Sequence, residues 1–206
     1  VANYFPTISA AISVSPQRYI WRVGIALHTA PRILVIGIYY NYFTEIGMPH
    51  PVLWYIKLCR TAFTLQLVEI LSLLGLTMVA SREYKPAHEI FFVTFIMSSL
   101  LYMIAMNLQY YLSRKKLWNA FTLEEQKHQK RLLGLFIFNI TCFFVSMYFF
   151  YRHNRYCEPG VYSIYALVES IIIVSNITFH VAESAMFTKK EIVFGTESLK
   201  SPPKSD

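Results

Sequence analysis

Five long apolar stretches dominate the chain and restrict the folds that it can adopt. They lie at about 19–43, 53–80, 87–112, 132–151 and 161–187. A helix needs about 20 mostly apolar residues to cross the hydrocarbon core of a bilayer, and each stretch has that length. The sequence therefore predicts an all-α, polytopic membrane helix bundle with five spans, which we designate segments A to E in chain order.

The composition of the 206 residues agrees with this class of protein. Hydrophobic residues make up 55% of the chain and charged residues only 15%, whereas a soluble domain has about a quarter charged residues. The five spans leave no room for a second domain beside the bundle at 1–187. The polar sequence at 188–206 is predicted to be a disordered tail.

The distribution of Lys and Arg predicts the orientation of the bundle. The C–D connection and the C-terminal tail carry ten basic residues, and the opposite side carries five. Because cytoplasmic loops have the excess of positive charge, we place the C–D connection and the tail in the cytosol. The N-terminal stretch and the D–E loop, RHNRYCEPG, then face the lumen. An odd number of spans with a lumenal start predicts a sixth helix ahead of Val1 in the whole protein.

The net charge of +7 fits attraction to anionic lipid at the cytosolic surface. No nucleic-acid partner is expected, because the basic residues flank membrane spans and no nucleic-acid motif accompanies them. Two sequons, at Asn139 and Asn176, lie inside spans. We interpret both asparagines as polar residues that contact neighbouring helices.

Ionisable side chains inside the spans are the candidate functional groups, because burying them in lipid costs a few kcal/mol. A helix rises about 1.5 Å per residue. Counted from the lumenal ends, this rise places Arg32 and Glu69 at a similar depth, with His28 and Glu169 one layer nearer the lumen. We therefore predict that Arg32 pairs with Glu69. The alternative role for such a pair is to fix the register of two helices without any chemistry.

His28 and Glu169 are the predicted catalytic residues, since a histidine can act as a general base and a carboxylate can orient it. A packing role is the alternative. Segment E also carries Asn176, His180 and Glu183 on the same helical stripe as Glu169. His180 and Glu183 are placed near the cytosolic end of the segment. Two ligands are too few for a metal site, so no bound metal is expected.

Two lumenal stretches resemble the Frag/DRAM/Sfk family of membrane proteins. The first is YFPTISAAIS, continued by PQRYIWR and ALHTAPR, and the second is FYRHNRYCEPGVYSIYALVE, followed by NITFH. The motif RHNxYCEPGVYSIYA is long, and the match covers all five predicted spans. The resemblance implies a six-helix, multi-pass protein of the Golgi membrane that takes part in remodelling the lipid of GPI anchors. In that process a saturated chain, usually stearoyl, is returned to lyso-GPI.

The resemblance also suggests roles for the lumenal polar residues. The guanidinium group pairs well with phosphate, so four arginines are predicted to hold the phosphate of the lipid, with interfacial anchoring as the alternative. Arg32 and Glu69 are assigned with them to substrate binding. The four arginines are Arg18, Arg22, Arg152 and Arg155.

Cys157 lies in the predicted lumenal loop, a compartment in which disulfides form. Relatives carry a cysteine shortly before the stretch that matches Asn3 and Tyr4. The resemblance therefore implies a disulfide between Cys157 and a cysteine upstream of Val1. Cys59 and Cys142 lie inside predicted spans, where a free cysteine is usually inert.

Two functions remain open, and both have membrane lipids and GPI-anchored proteins as partners. In the first, this chain is an acyltransferase acting on lyso-GPI, and His28 removes a proton from the free hydroxyl of the lipid. An acyl donor such as acyl-CoA is then a co-substrate, and no cofactor is expected. In the second, the chain is a non-catalytic lipid-binding protein that presents lyso-GPI to a separate partner enzyme. The absence of a known transferase motif favours this second function. A transporter is disfavoured, because the sequence has no inverted repeat or pair of broken helices.

Overall fold

The computed structural model describes residues 4–46, 52–117 and 123–185, and this part of the chain is helical without strands. A short helix, α1, precedes five long helices. The elements are α1 (Ile8–Ala11), α2 (Gln17–Asn41) with a π-helical extension (Tyr42–Ile46), α3 (Leu53–Met78), α4 (Lys85–Leu117), α5 (Leu123–Tyr156) and α6 (Val161–Ser184). Five helices are long and apolar enough to cross a membrane. The prediction of an all-α, polytopic membrane bundle is therefore confirmed.

The largest difference from the expected elements concerns α5. Segment D was expected at 132–151, whereas one continuous helix runs from Leu123 to Tyr156. Its first turn is acidic and its last turn carries His153 and Arg155, charges that suit the two ends of the helix dipole. The helix therefore includes residues that had been assigned to the D–E loop. The tail at 188–206 lies outside the described residues.

The long helices form two groups. α3 packs between α2 and α4, and α5 packs against α6 as an antiparallel hairpin that also contacts α4. Gly75 allows α3 and α4 to approach closely, because a Cβ atom there would lie 2.5 Å from the ring of Phe91. Asn139 joins the hairpin by donating hydrogen bonds to the carbonyl of Ile172 at 3.1 Å and to Oγ of Ser175 at 2.6 Å. The predicted helix-contact role of Asn139 is confirmed.

The N-terminal segment at 4–16 covers the end of the bundle at which α2 and α6 begin. The backbone N–H groups of Tyr4 and Phe5 donate to Oγ of Ser163 in α6, at 2.8 and 3.1 Å. Nε2 of His88 in α4 lies 3.0 Å from Oγ of Ser9. The segment thus connects the hairpin to the three-helix group, and we call it the N-terminal cap.

Candidate functional site

A buried triad of ionisable side chains lies where α2, α3 and α6 meet. Nη2 of Arg32 donates to Oε1 of Glu69 at 2.9 Å. Nε2 of His180 lies 2.8 Å from this nitrogen and 2.9 Å from this oxygen. The three side chains are 8%, 0% and 6% exposed. The predicted contact between Arg32 and Glu69 is therefore present, and His180 is its third member.

Two residues hold His180 from its other side. Oε2 of Glu183 lies 3.2 Å from Nδ1 of His180, and the hydroxyl of Tyr102 in α4 donates to Oε1 of the same carboxylate. The ring of Tyr102 stacks on the imidazole, with 5.6 Å between the ring centroids. Both ring nitrogens of His180 therefore have protein partners, and this set of contacts fixes the ring in one orientation.

Asn176 connects the triad to α4. Its Nδ2 donates to Oγ of Ser99 at 2.5 Å and lies 3.4 Å from Oε1 of Glu69. The predicted helix-contact role of Asn176 is thus confirmed. Within the three described ranges, no group of three or more His, Cys, Asp or Glu side chains is arranged to hold a metal ion. The arrangement is instead a set of proton donors and acceptors inside the bundle.

His180 and Glu183 lie four residues and one residue before the end of α6 at Ser184, near the end of the segment where they were predicted. His180 still contacts Glu69, because α6 extends farther than α3 on the side of the N-terminal cap. α6 begins at Val161, nineteen residues before His180, whereas α3 ends at Met78, nine residues after Glu69. At about 1.5 Å per residue, the start of α6 projects about 15 Å beyond the end of α3. Counting depths from one common plane therefore did not predict the contact between His180 and Glu69. The helical stripe in segment E was the signal that could have identified it.

His28 lies one helical turn before Arg32 and within electrostatic range of Arg32, His180 and Glu69. Its Nε2 is buried without a hydrogen-bond partner. Glu169 is 5% exposed, and its Oε2 also has no partner. Among the described residues, no hydrogen bond or ion pair joins His28 to Glu169. The structure therefore places His28 beside the triad and Glu169 eleven residues above His180 on α6.

Arg18 and Arg22 bind the connection between α3 and α4. Arg18 forms an ion pair with Glu83, and Arg22 donates to the backbone carbonyl of Met78 at 2.7 Å and lies 3.6 Å from Glu83. The N–H of Ala80 donates to Glu83. This hydrogen bond, together with the two guanidinium groups, holds the pKa of Glu83 below its ordinary value. Both arginines thus have structural partners.

The other two predicted phosphate-binding residues lie near the end of α5. Arg152 forms an ion pair with Glu158 at 2.9 Å, whereas Arg155 is exposed and has no hydrogen bond or ion pair in the described part of the chain. Cys157 follows the end of α5 at Tyr156, with a left-handed φ of 53° and an exposed side chain. Its N–H donates to the carbonyl of His153 and closes the last turn of the helix. The Cys157 thiol is free within this chain.

Two cavities lie near the site. The first has a volume of about 10 Å³, room for about one water molecule, and is lined in part by Gln66, Tyr102 and Gln109 below the triad. The second is a groove of about 340 Å³ between α5 and α6, with apolar side chains such as Phe138 and Val174 in its lining. The groove lies on the opposite side of α6 from the triad. Its mostly apolar lining is suited to contact with hydrocarbon chains.

The spanning helices and the buried triad define a multi-pass membrane protein with an ionisable centre. The family model described as Frag1/DRAM/Sfk1/Cwh43P N-terminal domain matches residues 1–188, and the chain belongs to this family.

Similar proteins have names from GPI-anchor biology. The chain is 40% identical to post-GPI attachment to proteins factor 2 of Caenorhabditis briggsae, over 87% of this chain and 68% of that protein. It is 38% identical to the protein of the same name from Caenorhabditis elegans, over 94% and 73%. It is also 38% identical to a Xenopus tropicalis protein named acyltransferase PGAP2, over 94% and 75%. No solved structure matches the chain.

Proposed function

We propose that this protein acts in the maturation of GPI anchors by returning a saturated, stearoyl chain to lyso-GPI. The names of its relatives support a role in GPI-anchor maturation, and one name supports acyl transfer. The structural observation that carries the proposal is the triad of Arg32, Glu69 and His180. Such groups are costly inside a membrane and mark functional sites, and general acid–base chemistry needs proton donors and acceptors of this kind.

The proposed location is the Golgi membrane, with the C-terminal tail in the cytosol. The N-terminal cap and the loop around Cys157 then face the lumen, where they can meet the polar part of a GPI anchor. Membrane lipids and GPI-anchored proteins are the proposed partners. A glycosylation sequon introduced beside Glu158 would be modified, and one introduced at 195–200 would not. The reverse result would contradict this orientation.

In the proposed reaction, His28 is the general base and acyl-CoA is the acyl donor. The free hydroxyl of lyso-GPI attacks the thioester carbonyl, an ester bond forms, and the carbon–sulfur bond breaks. The hydroxyl proton passes through the base to the leaving thiolate. Glu169, buried without a partner at a shallower level, is proposed to contact the glycerol region of the lipid.

The four arginines predicted to hold phosphate differ in whether they already have a carboxylate partner. Arg18, Arg22 and Arg152 already have carboxylate partners, which favours an anchoring role for these three residues. Arg155 is exposed and unpaired in the described part of the chain, so it remains the proposed phosphate contact among the four. Arg32 and Glu69 remain assigned to substrate binding.

A non-catalytic protein that presents lyso-GPI to a separate acyltransferase is the second candidate. The observation that favours it is the absence, among the described residues, of a hydrogen bond between His28 and any carboxylate. A catalytic histidine is usually oriented by such a bond. In this function the triad would fix the helices around a bound lipid without reacting.

The deciding experiment uses the full-length protein purified into nanodiscs, with lyso-GPI and stearoyl-CoA as substrates. We expect transfer by the wild type, weaker transfer by Glu169→Gln, and unchanged transfer by Glu89→Gln, which alters an exposed carboxylate in α4. Saturable binding of lyso-GPI without turnover would support the presenting function instead. Transfer that is equal in the wild type and Glu169→Gln would remove Glu169 from the site.

A further inference from the structure

Four buried polar atoms beside the triad have no hydrogen-bond partner within the described ranges. They are Nε and Nη1 of Arg32, Oε2 of Glu69 and Nε2 of His28. Arg32 is 7% exposed and Glu69 is fully buried. Folded proteins pair nearly all of their buried polar atoms, so each exception needs an explanation. The partners in the structure occupy only one nitrogen of the guanidinium group and one oxygen of the carboxylate.

The unpaired atoms specify the chemistry of a ligand. The two nitrogens of Arg32 can only donate, the oxygen of an ionised Glu69 can only accept, and Nε2 of His28 does either according to its tautomer. A ligand that pairs with them must contain an acceptor oxygen for Arg32 and a polar hydrogen for Glu69 or His28. An alcohol beside an acyl carbonyl has both, and a hydrocarbon chain has neither.

We propose that these atoms bind the reacting groups of the lipid substrate. The free hydroxyl of a lysophospholipid donates its proton to Nε2 of His28, and the carbonyl oxygen of an acyl thioester accepts from Nε and Nη1 of Arg32. This inference rests on the proposed function and specifies its site. It makes Glu69, rather than Glu169, the carboxylate that stabilises the imidazolium of His28 once the hydroxyl proton has been transferred.

The geometry assigns one step to each group. The hydroxyl oxygen forms a bond to the thioester carbon as its proton passes to Nε2 of His28. The negative charge on the carbonyl oxygen is then stabilised by the two free N–H donors of Arg32, as in other acyl-transfer sites. The carbon–sulfur bond breaks and the thiolate takes the proton from His28. Because His180 and Glu69 hold Nη2 of Arg32, the guanidinium group is already in place before the substrate binds.

Arg32→Lys tests the proposal, because lysine keeps the positive charge beside Glu69 but cannot supply three separate nitrogen positions. Acyl transfer would be measured in nanodiscs with lysophosphatidylinositol and stearoyl-CoA, together with binding of a photoreactive lysophosphatidylinositol. We expect transfer to fall by about 10²–10³-fold, as it does when an oxyanion donor is removed, while probe binding is retained. Arg60→Lys, on an exposed position of α3, is the matched control and keeps wild-type transfer.

His28→Gln is the second variant, because the side chain of His28 makes no hydrogen bond to a described residue that its replacement would break. Loss of a general base lowers transfer by about 10²–10⁴-fold. Wild-type transfer by folded Arg32→Lys or by His28→Gln would overturn this inference and leave the proposed function standing. If the wild type binds the probe but transfers nothing to it or to lyso-GPI, the proposed function and this inference both fail.

Discussion

Arg32 of α2 and Glu69 of α3 form a 2.9 Å ion pair inside the bundle, and His180 of α6 lies within 3 Å of both partners. Three helices are therefore joined at one point by groups that would otherwise be costly in lipid. Removing one partner of a buried ion pair leaves an uncompensated charge. Single substitutions therefore measure the cost of leaving one of these charges unpaired.

Glu69→Gln is expected to lower the free energy of unfolding by about 3–5 kcal/mol, because Arg32 loses the carboxylate that compensates its charge. Reversible unfolding in mixed detergent micelles measures this change. Glu89→Gln is the control, because the Lys85–Glu89 pair is 3.6 Å long and exposed, and such pairs contribute at most about 1 kcal/mol. Equal losses of unfolding free energy in the two variants would show that the buried Arg32–Glu69 pair is no more costly to break than an exposed pair.

Gly75→Ala is expected to destabilise the contact between α3 and α4 by about 1–3 kcal/mol, since the added methyl group overlaps the ring of Phe91. Gly134→Ala is the matched control in α5, where a Cβ atom would meet nothing within 4 Å. There the higher helix propensity of alanine adds up to about 1 kcal/mol of stability. Thermal unfolding of the two variants in the same detergent should therefore shift in opposite directions. A gain in stability for both would show that Phe91 moves aside freely.

Glu83 makes the attachment of α2 to the α3–α4 connection dependent on pH. Its pKa in the folded protein is below the ordinary 4.5, because the N–H of Ala80 donates to it and because Arg18 and Arg22 lie beside it. A lowered folded pKa contributes stability that is present above the unfolded value and is lost as the pH falls through the folded value.

The difference in Tm between the wild type and Glu83→Gln should therefore be constant near neutral pH and shrink below pH 4.5. Thermal scans at matched ionic strength, from about pH 3 to about pH 7, measure it. A Tm difference that does not change with pH would contradict a role for the ionised carboxylate.

Cys157 is proposed to form a disulfide in the whole protein with a cysteine upstream of Val1. Its exposed position after α5 makes it accessible for such a bond. In the full-length protein, Cys157 should resist maleimide labelling until a reductant is added. Cys59, which is buried in α3, should instead become labelled by maleimide on unfolding alone, without a reductant. Rapid labelling of Cys157 without reductant would disprove the disulfide.

The bundle could be predicted from the sequence because the length and hydropathy of each span determine where a chain can cross a bilayer. The ends of α5 could not, since its polar last turn is helical for a reason other than hydropathy. His153 and Arg155 suit the C-terminal end of the helix dipole, and Cys157 ends the helix in a left-handed conformation. The length of an apolar stretch contains no information about the helix dipole or about the left-handed conformation of Cys157.

The site was predictable in part. Arg32 and Glu69 lie on neighbouring antiparallel helices, and their depths counted from the predicted span ends at Tyr19 and Ala80 were similar. The contact of His180 with Arg32 and Glu69 was not predicted, because the sequence does not show how far α6 projects beyond the end of α3. Tyr102 has no charge in an aromatic-rich chain, and so nothing in the sequence distinguished it from the other tyrosines.

The polar stripe of α6 also has a consequence for how the protein is made. An isolated α6 would present Glu169, His180 and Glu183 to hydrocarbon, at a cost of about 3 kcal/mol for each charged group near the bilayer centre. The partners of His180 on α2 and α3 are synthesised earlier and lie in the membrane before α6 leaves the ribosome. We therefore expect α6 to insert stably only where α2 and α3 are already in the membrane.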